Sequence, residues 1–276
     1  MIERLEKPKM SLKMKQPPFL EEKRKKMSEK IKNEKIKLQS LSASQRWLNC
    51  TASLLYNNKP FVENKNTLTG SLCHKIAELM LRSYFFGEQN YNELMVLRHE
   101  PYYNEDHSIE VQCTPQLWRI AESYFKYVKG VVKAYDHPEK KIFIEKKINL
   151  KFYGYEKYGF ADFVLLTPDV LYIIDLKTGR NEVSADNNSQ MLLYTIGLIQ
   201  EFGARKRNIT AISQPILNAV NAYEYTKRQL NAWYKNQAQA LYEIAENKLV
   251  YRPSEKVCKY CDHRDFCNER IKKGVW

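Results

Sequence analysis

Two aspartates and a lysine interrupt apolar, β-rich segments near the middle of the chain. Asp162 lies within GFADFVLLT, and both Asp175 and Lys177 lie within LYIIDLK. An unpaired carboxylate inside an apolar strand is costly, so these acids need a partner or a cation. Carboxylates hold Mg²⁺ or Mn²⁺, which activates water and neutralises phosphate charge, while an ammonium orients the nucleophile or stabilises the transition state. These residue types suit metal-dependent hydrolysis of a phosphodiester.

The spacing of the three residues predicts that they meet. Asp175 and Lys177 are two residues apart, so on a strand their side chains point to the same face. Pro168-Asp169 is a turn signal between the two segments, and a hairpin there brings Asp162 alongside. An Asp-x-Lys pattern is short and common, and its competing interpretation is a surface ion pair with Asp162 capping a turn.

Other polar residues could complete such a site. His74 and Glu78 share a face on a helix, so His74 can supply an imidazole ligand or is a satisfied, half-buried histidine. Gln190 and Tyr194 also share a helical face, where they meet phosphate or base or are ordinary helix residues. Glu145 either joins the metal ligands or is a solvated carboxylate beside two lysines.

A cysteine run near the C-terminus indicates a second metal centre. Cys258, Cys261 and Cys267 follow a Cys-x2-Cys-x5-Cys pattern, which lets three thiolates converge on one centre. A fourth ligand must come from elsewhere, and His263 inside the run could make a zinc site of three cysteines and one histidine. Six cysteines without a secretory signal favour a reducing compartment over disulfides.

The periodicity of apolar residues predicts the elements that position these side chains. Helices are predicted at 67–84, 116–135, 188–202 and 226–247, and strands at 141–150, 159–167, 171–177 and 209–217. Helices, three strands, a helix, a strand and a helix in that order predict an α/β fold, with a cysteine-bearing segment at the C-terminus. Cys73 and Cys113 are expected to pack in the core. The absence of a GxxxxGK[ST] loop excludes an ATP-driven motor of that kind.

Positive charge is concentrated at the N-terminus. The formal net charge is +13, and residues 1–40 carry 13 Lys and Arg against 6 Asp and Glu, or +7. This segment is predicted to be a disordered or loosely helical basic arm, either a solvated tail or a grip on DNA. Residues 41–276 are predicted to form one domain, with a helical region at about 41–138, a sheet-containing core at about 139–250 and the cysteine segment at 251–270. No stretch has the apolar length needed to cross a bilayer.

Together these motifs resemble the PD-(D/E)xK nuclease superfamily, specifically its RecB-like branch. That branch includes the nuclease domains of RecB and AddB, CRISPR-associated RecB-like exonucleases, and the phage and prophage proteins that this chain resembles most. The resemblance runs from about Leu41 to Cys267. It is carried by Gly70-x-x-x-His74, Asp162, Asp175, Lys177, Gln190-x-x-x-Tyr194 and the SQRWLNC segment that ends at Cys50.

The resemblance implies a restriction-endonuclease-like core, in which a central mixed sheet is flanked by helices. By the same resemblance, Mg²⁺ or Mn²⁺ is bound by His74, Asp162, Asp175 and the backbone carbonyl of Leu176. Asp162, Asp175 and Lys177 would be the catalytic residues. Gln190 and Tyr194 would position DNA, and Tyr194 and Trp47 are also candidates for stacking on bases.

The resemblance also implies a [4Fe–4S] cluster with Cys50 as the fourth ligand beside Cys258, Cys261 and Cys267; Zn²⁺ is the alternative. Such a cluster would join the two ends of the ordered chain as a staple.

The implied function is a metal-dependent DNA nuclease, an exonuclease on DNA ends or single strands in phage or prophage recombination or replication. It would act in the cytoplasm, that of the bacterial host if phage-encoded, beside a helicase or recombinase from another chain. The alternatives are a catalytically silent DNA-binding accessory factor and a zinc-stapled structural phage protein. Inactive relatives usually lose an acid or the lysine, and this chain has all of them.

Overall fold

The computed structural model of the protein describes residues 39–56, 62–153 and 155–275. The basic arm predicted for residues 1–40 lies outside the described residues except for its last two positions. Within the described part of the chain, no helix is both long enough and apolar enough to span a membrane.

The described residues form both helices and strands. The α-helices are α1 Ser44–Asn49, α2 Lys65–Phe86, α3 Tyr91–His99, α4 Pro115–Ala134, α5 Ser189–Phe202, α6 Lys227–Ala245, α7 Glu255–Cys258 and α8 Asn268–Lys272. The strands are β1 Tyr102–Tyr103, β2 Glu110–Val111, β3 Lys141–Phe152, β4 Tyr155–Leu166, β5 Val170–Leu176, β6 Arg207–Gln214 and β7 Ala219–Tyr225. Short 3₁₀ turns occur at Leu41–Ala43, Thr51–Leu55, Pro215–Leu217 and Arg264–Phe266.

The main sheet has the strand order β3-β4-β5-β6-β7. β5 and β6 are parallel, and the other neighbouring strands are antiparallel. Every residue of β5 is buried, as expected of a strand that is paired on both sides and covered on both faces. This mixed sheet with flanking helices confirms the predicted α/β, restriction-endonuclease-like fold.

The number of strands was predicted incorrectly. The predicted strand at 209–217 ends at Gln214 as β6, and β7 follows after a 3₁₀ turn. β7 has the sequence AVNAYEY, and most of its residues are exposed because it is an edge strand. It therefore lacks the alternation of apolar and polar residues that predicts a strand. The short helix α3 was also missed.

Local sequence signals start the two helices that carry polar site residues. α2 begins after Asn64, whose side chain accepts hydrogen bonds from the backbone N–H groups of Asn66 and Thr67 in a capping box. It ends at Gly87, which has a φ of 69° that favours glycine. α5 begins after Asn188, whose side chain accepts a hydrogen bond from Met191 N.

α2 and α4 pack against one face of the sheet in a single apolar cluster. Buried residues of this cluster include Leu72, Ile76, Tyr124, Val128, Ile144, Phe163 and Ile174. α5 lies on the other side of the sheet, where Gly197 packs against Ile148 of β3. A Cβ at Gly197 would lie 2.5 Å from Ile148 Cγ2, so only glycine allows this close approach.

β3 and β4 extend beyond the rest of the sheet as a hairpin. Their pairing runs from Lys141↔Leu166 to Phe152↔Tyr155, whereas β5 pairs with β4 only from Phe163 to Leu166. Residues 146–152 and 155–161 therefore form a two-stranded extension, which we call the hairpin arm. α5 covers one face of the arm, because Tyr194 lies against Gly159.

Glu145 reverses the faces of β3. In a regular strand, residues 144, 146 and 148 share one face. Here Ile144 lies in the cluster with α2 and α4, whereas Ile148 packs on α5 and Lys146 pairs with Glu201 of α5. The reversal occurs at Glu145, which has a left-handed φ of 50°. A non-glycine residue in this conformation costs about 1–3 kcal/mol, and such strain is typical of functional sites.

Candidate active site

Three acidic residues occupy one row across three adjacent strands. The β4–β5 register includes Phe163↔Ile174, so Asp162 and Asp175 are at the next opposed positions. The β3–β4 register likewise places Glu145 opposite Asp162. The row thus brings Glu145, Asp162 and Asp175 to one place, although they are 13 to 30 residues apart along the chain.

Helix α2 brings an imidazole to this row. His74 Nδ1 lies 3.2 Å from Asp162 Oδ1. Ligand atoms of His74, Glu145 and Asp162 all lie within 4.8 Å of one another, and all three residues are partly buried. Gly70, one turn before His74, lets α2 approach the end of β5, because a Cβ there would lie 3.3 Å from Thr178 Oγ1. One nitrogen and two carboxylate donors form a set suited to a hard or borderline divalent cation.

Asp162 is also fixed by the backbone of β5. Its Oδ2 accepts a hydrogen bond of 2.6 Å from Leu176 N. Oδ1 faces His74, so the carboxylate lies between the imidazole and the backbone. This contact is made through the N–H group of Leu176; a role for the carbonyl of Leu176 in binding a cation stays a prediction.

Asp175, Lys177 and Gln190 form a second group beside the first. Lys177 Nζ lies 2.8 Å from Asp175 Oδ2 and 3.3 Å from Gln190 Oε1. Gln190 Nε2 donates to Asp175 Oδ1 at 2.9 Å and to the Tyr194 hydroxyl at 3.2 Å. Helix α5 thus orients both Asp175 of β5 and Lys177, which directly follows β5, through one amide.

The charges of the site shift the pKa values of its members. Burial lowers the pKa of His74, but Asp162 outweighs that effect and raises it to about 9. Burial raises the pKa of Asp162, but His74 and the Leu176 hydrogen bond bring it below its usual value. The two groups therefore form an ion pair at neutral pH when no cation is bound.

The remaining acids are harder to ionise than ordinary carboxyls. Burial, followed by the charge of Asp162, raises the pKa of Glu145 to about 7. Burial also raises the pKa of Asp175, despite the opposing effect of Lys177. Burial lowers the pKa of Lys177, but the contact with Asp175 raises it by a larger amount. This amine therefore stays protonated near neutral pH in the site without a cation. A cation at the row of acids would relieve this crowding of negative charge.

The structure brings the predicted polar residues together but corrects one expectation. His74, Asp162, Asp175 and Lys177 converge, and Glu145 joins them instead of standing free in solvent. Stacking of bases on Trp47 and Tyr194 was wrong, because their exposed fractions are 0% and 3%. Neither ring offers a free face to a ligand.

Gln190 and Tyr194 have contacts that the sequence did not reveal. Both side chains point toward the acid and the lysine of β5, since Gln190 touches Asp175 and Lys177 and also donates to Tyr194. The direct contact of these two residues with DNA stays a prediction.

The cysteine segment folds back onto the beginning of the described chain. Cys50 and Val257 share a small buried cluster, and the Arg46 guanidinium donates to the backbone carbonyl of Tyr260. Burial raises the pKa of Cys50, and the nearby thiols of Cys258 and Cys267 raise it further. Residues about 200 positions apart in sequence are therefore neighbours. Cys73 is fully buried, as expected for a core residue, and Cys113 is half-buried.

A buried network missed by the sequence analysis surrounds Cys50. Glu243 of α6 is 4% exposed, accepts a hydrogen bond of 2.9 Å from Thr51 Oγ1 and pairs with both terminal nitrogens of Arg252. Arg252 N in turn approaches Cys50 Sγ at 3.3 Å. A glutamate within an amphipathic helix gives no signal of this role, because its partners lie in distant segments.

His263, the alternative zinc ligand, has a different neighbour. Its ring stacks on Tyr56 with a centroid separation of 3.6 Å and an interplanar angle of 4°. Within the described residues, His74, Glu145 and Asp162 are the group of three or more ligand-type residues whose ligand atoms all lie within 4.8 Å of one another.

Comparison with known proteins adds a family and several relatives. The profile of the family described as "Protein of unknown function (DUF2800)" matches residues 37–275. The CRISPR-associated exonuclease Cas4 of Francisella tularensis subsp. novicida (strain U112) is 26% identical over 126 residues, 45% of this chain. That match spans 62% of the Cas4 chain. A crystal structure of a "Putative exonuclease" from Eubacterium rectale covers 92% of this chain and 93% of its own, with 12% identity and a TM-score of 0.45.

Proposed function

Because this chain belongs to the DUF2800 family, among the RecB-like PD-(D/E)xK nucleases, we propose that it is a metal-dependent nuclease that cuts DNA. One observation carries the proposal: the row of acids with His74 lies directly beside the Asp175–Lys177 pair. A divalent cation can activate the attacking water and neutralise phosphate charge, and a nearby protonated amine can stabilise the charge that develops on the phosphate.

The donor set of the row fits Mg²⁺ or Mn²⁺. His74, Asp162, Asp175 and the backbone carbonyl of Leu176 would hold the ion, with Glu145 as an additional acid beside His74 and Asp162. When bound, such an ion lowers the pKa of a water and neutralises charge on the phosphate. The imidazole favours Mn²⁺ somewhat more than oxygen ligands alone would.

Lys177 acts as an acid or as a fixed positive charge in this proposal. In the site without a cation, burial lowers the pKa of this amine, but the contact with Asp175 outweighs that effect. The amine would hold the attacking water or stabilise the developing charge on the phosphate. Gln190 keeps the amine and Asp175 in place through the oxygen and the nitrogen of its side-chain amide.

We further propose exonuclease action on DNA ends or single strands, in phage or prophage recombination or replication, beside a helicase or recombinase from another chain. The name of the Cas4 relative supports the exonuclease part. The phage setting and the partner proteins depend on the resemblance of the motifs alone.

We propose that Cys50, Cys258, Cys261 and Cys267 bind a [4Fe–4S] cluster. The contacts between Cys50 and the C-terminal segment support one shared centre. Four thiolates are a complete ligand set for such a cluster, and Zn²⁺ is the alternative.

A cleavage assay tests the nuclease proposal. End-labelled single- and double-stranded DNA is incubated with the protein and Mn²⁺, with and without EDTA. We expect metal-dependent cleavage that falls by at least about a thousandfold in Asp175→Ala and Lys177→Ala. Asp186→Ala and Lys206→Ala are matched controls that remove an acid and an amine outside the site. A protein that binds DNA but releases no labelled product with any metal would be an accessory factor instead.

A further inference from the structure

The open face of the hairpin arm carries two half-exposed aromatic rings. Tyr158 and Phe160 of β4 have exposed fractions of 52% and 48%. Their ring centroids are 5.9 Å apart, and the ring planes are nearly perpendicular at 82°. Each ring presents apolar surface to solvent, although the opposite face of the same arm is well packed against α5. Adjacent exposed aromatics on one strand face are typical of a binding surface.

Polar side chains of β3 accompany the rings. Lys147 is the register partner of Phe160, and its Nζ lies 4.3 Å from the centroid of the Tyr158 ring. Asn149 is the register partner of Tyr158, and both Lys147 and Asn149 are exposed. The surface therefore combines stacking faces with a cation and an amide.

This surface runs directly into the row of acids. Gly159 faces Tyr194 of α5, so Tyr158 and Phe160 point to the opposite side of the arm. Asp162 also points to that side, where it meets His74 of α2. At about 3.3 Å per residue, Phe160 and Tyr158 lie about 7 and 13 Å along the strand from Asp162.

We propose that Tyr158, Phe160 and Lys147 form a track that binds single-stranded DNA and leads it to the site at Asp162. This inference rests on the proposed nuclease function. Unpaired bases can stack on exposed rings, whereas bases of a duplex are already stacked on each other. Lys147 complements the phosphate backbone, and the order of the track places the strand in line with the metal ligands.

Binding without cleavage tests the track. The affinity of a fluorescein-labelled oligothymidylate is measured by anisotropy in EDTA, where metal-dependent cutting cannot occur. We expect the Tyr158→Ala/Phe160→Ala double variant to bind at least about tenfold more weakly, because each stacked base contributes substantially. Tyr158→Phe/Phe160→Tyr keeps both rings and should bind within about twofold of the unaltered protein. Lys147→Gln should reduce the slope of log affinity against log salt concentration by about the amount expected for one phosphate contact.

Controls separate the track from general effects. Tyr91→Ala removes a 70% exposed ring on α3 and should leave affinity unchanged. An oligonucleotide without bases should bind the double variant and the unaltered protein equally, since stacking is then impossible. The track is overturned if the double variant binds the oligothymidylate as tightly as the unaltered protein, or if the ring-keeping variant weakens as much as the alanine variant.

The outcomes also separate this inference from the nuclease proposal. If the rings bind single strands but no metal supports cleavage, the track stands and the nuclease proposal fails. If the protein cuts DNA and the double variant binds and cuts like the unaltered protein, the track alone fails.

Discussion

Gln190 Nε2 donates a hydrogen bond of 2.9 Å to Asp175 Oδ1, which connects α5 to the acidic residue near the end of β5. The same amide accepts from Lys177 Nζ at 3.3 Å. Asp175 is almost completely buried, so its orientation depends on these partners and not on water. The Gln-x-x-x-Tyr motif is therefore a support for the acid and the lysine.

Removing this support should slow cleavage without weakening DNA binding. In Gln190→Ala, Asp175 and Lys177 lose their shared partner, and a small misplacement of reacting groups can cost about a hundredfold in rate. We expect single-turnover cleavage with Mn²⁺ to fall about ten- to a hundredfold. Gln116→Ala is the control, because it removes an exposed glutamine of α4 that lies outside the site. Equal rates for Gln190→Ala and the unaltered protein would contradict the support role.

Glu145 should lower the free energy of unfolding through its strained backbone and strengthen metal binding through its carboxylate. Its φ of 50° suits glycine, so Glu145→Gly should raise the free energy of unfolding by about 1 kcal/mol after the entropy cost of glycine. Glu145→Gln keeps the strained backbone and removes the charge. Both variants should bind Mn²⁺ at least about tenfold more weakly in calorimetry, because a carboxylate ligand is lost. A glycine variant less stable than the glutamine variant in urea unfolding would show that the conformation is not strained.

The Glu243–Arg252 pair should make the free energy of unfolding depend on pH in the acidic range. Burial raises the pKa of Glu243, but its hydrogen bonds from Arg252, Gln239 and Thr51 lower it below the usual value. The stabilisation is therefore complete above the unfolded pKa of about 4.3 and is lost as the pH falls through the folded pKa.

Glu243→Gln should lower the free energy of unfolding by about 2 kcal/mol at pH 7. The difference from the unaltered protein should narrow below about pH 4, as measured by urea unfolding at several pH values. Glu246→Gln removes an exposed acid of the same region and should change stability by less than about 0.5 kcal/mol. A difference that stays constant down to pH 3 would exclude an ionised Glu243 as its source.

Cys50 should be required for the visible absorbance of the proposed iron–sulfur cluster. After anaerobic purification, we expect iron and a broad visible absorbance, both lost in Cys50→Ser and retained in Cys113→Ser. Loss of the cluster should also lower the melting temperature. A metal centre would then no longer join Cys50 to the segment around Val257. A colourless protein that contains stoichiometric zinc would replace the iron–sulfur proposal with the zinc alternative.

Much of the site could be predicted because its signals are local. Asp162, Asp175 and Lys177 interrupt apolar strands, and the turn at Pro168-Asp169 fixes the hairpin that places the two acids opposite each other. The helices that carry His74 and Gln190 have clear caps and periodicity. β7 was missed because it lacks such a local signal: it is largely exposed, and its residues show little apolar alternation.

The role of Glu145 could not be read from its neighbours. A run of lysines follows it, and in a regular strand its side chain and that of Lys147 would share a face. Strand register and helix α2 bring its carboxylate beside His74 and Asp162, at the point where β3 changes faces between Ile144 and Ile148.

By itself the sequence determined the α/β class, the strand character of the segments around Asp162 and Asp175, and the set of residues able to bind a cation. Those properties depend on residue type and on spacings of a few positions. Only the tertiary structure decided that Glu145 joins His74, that Gln190 holds Asp175 and Lys177, and that Glu243 and Arg252 surround Cys50. These contacts depend on strand register and on the packing of segments that are far apart in the chain, which no local pattern specifies.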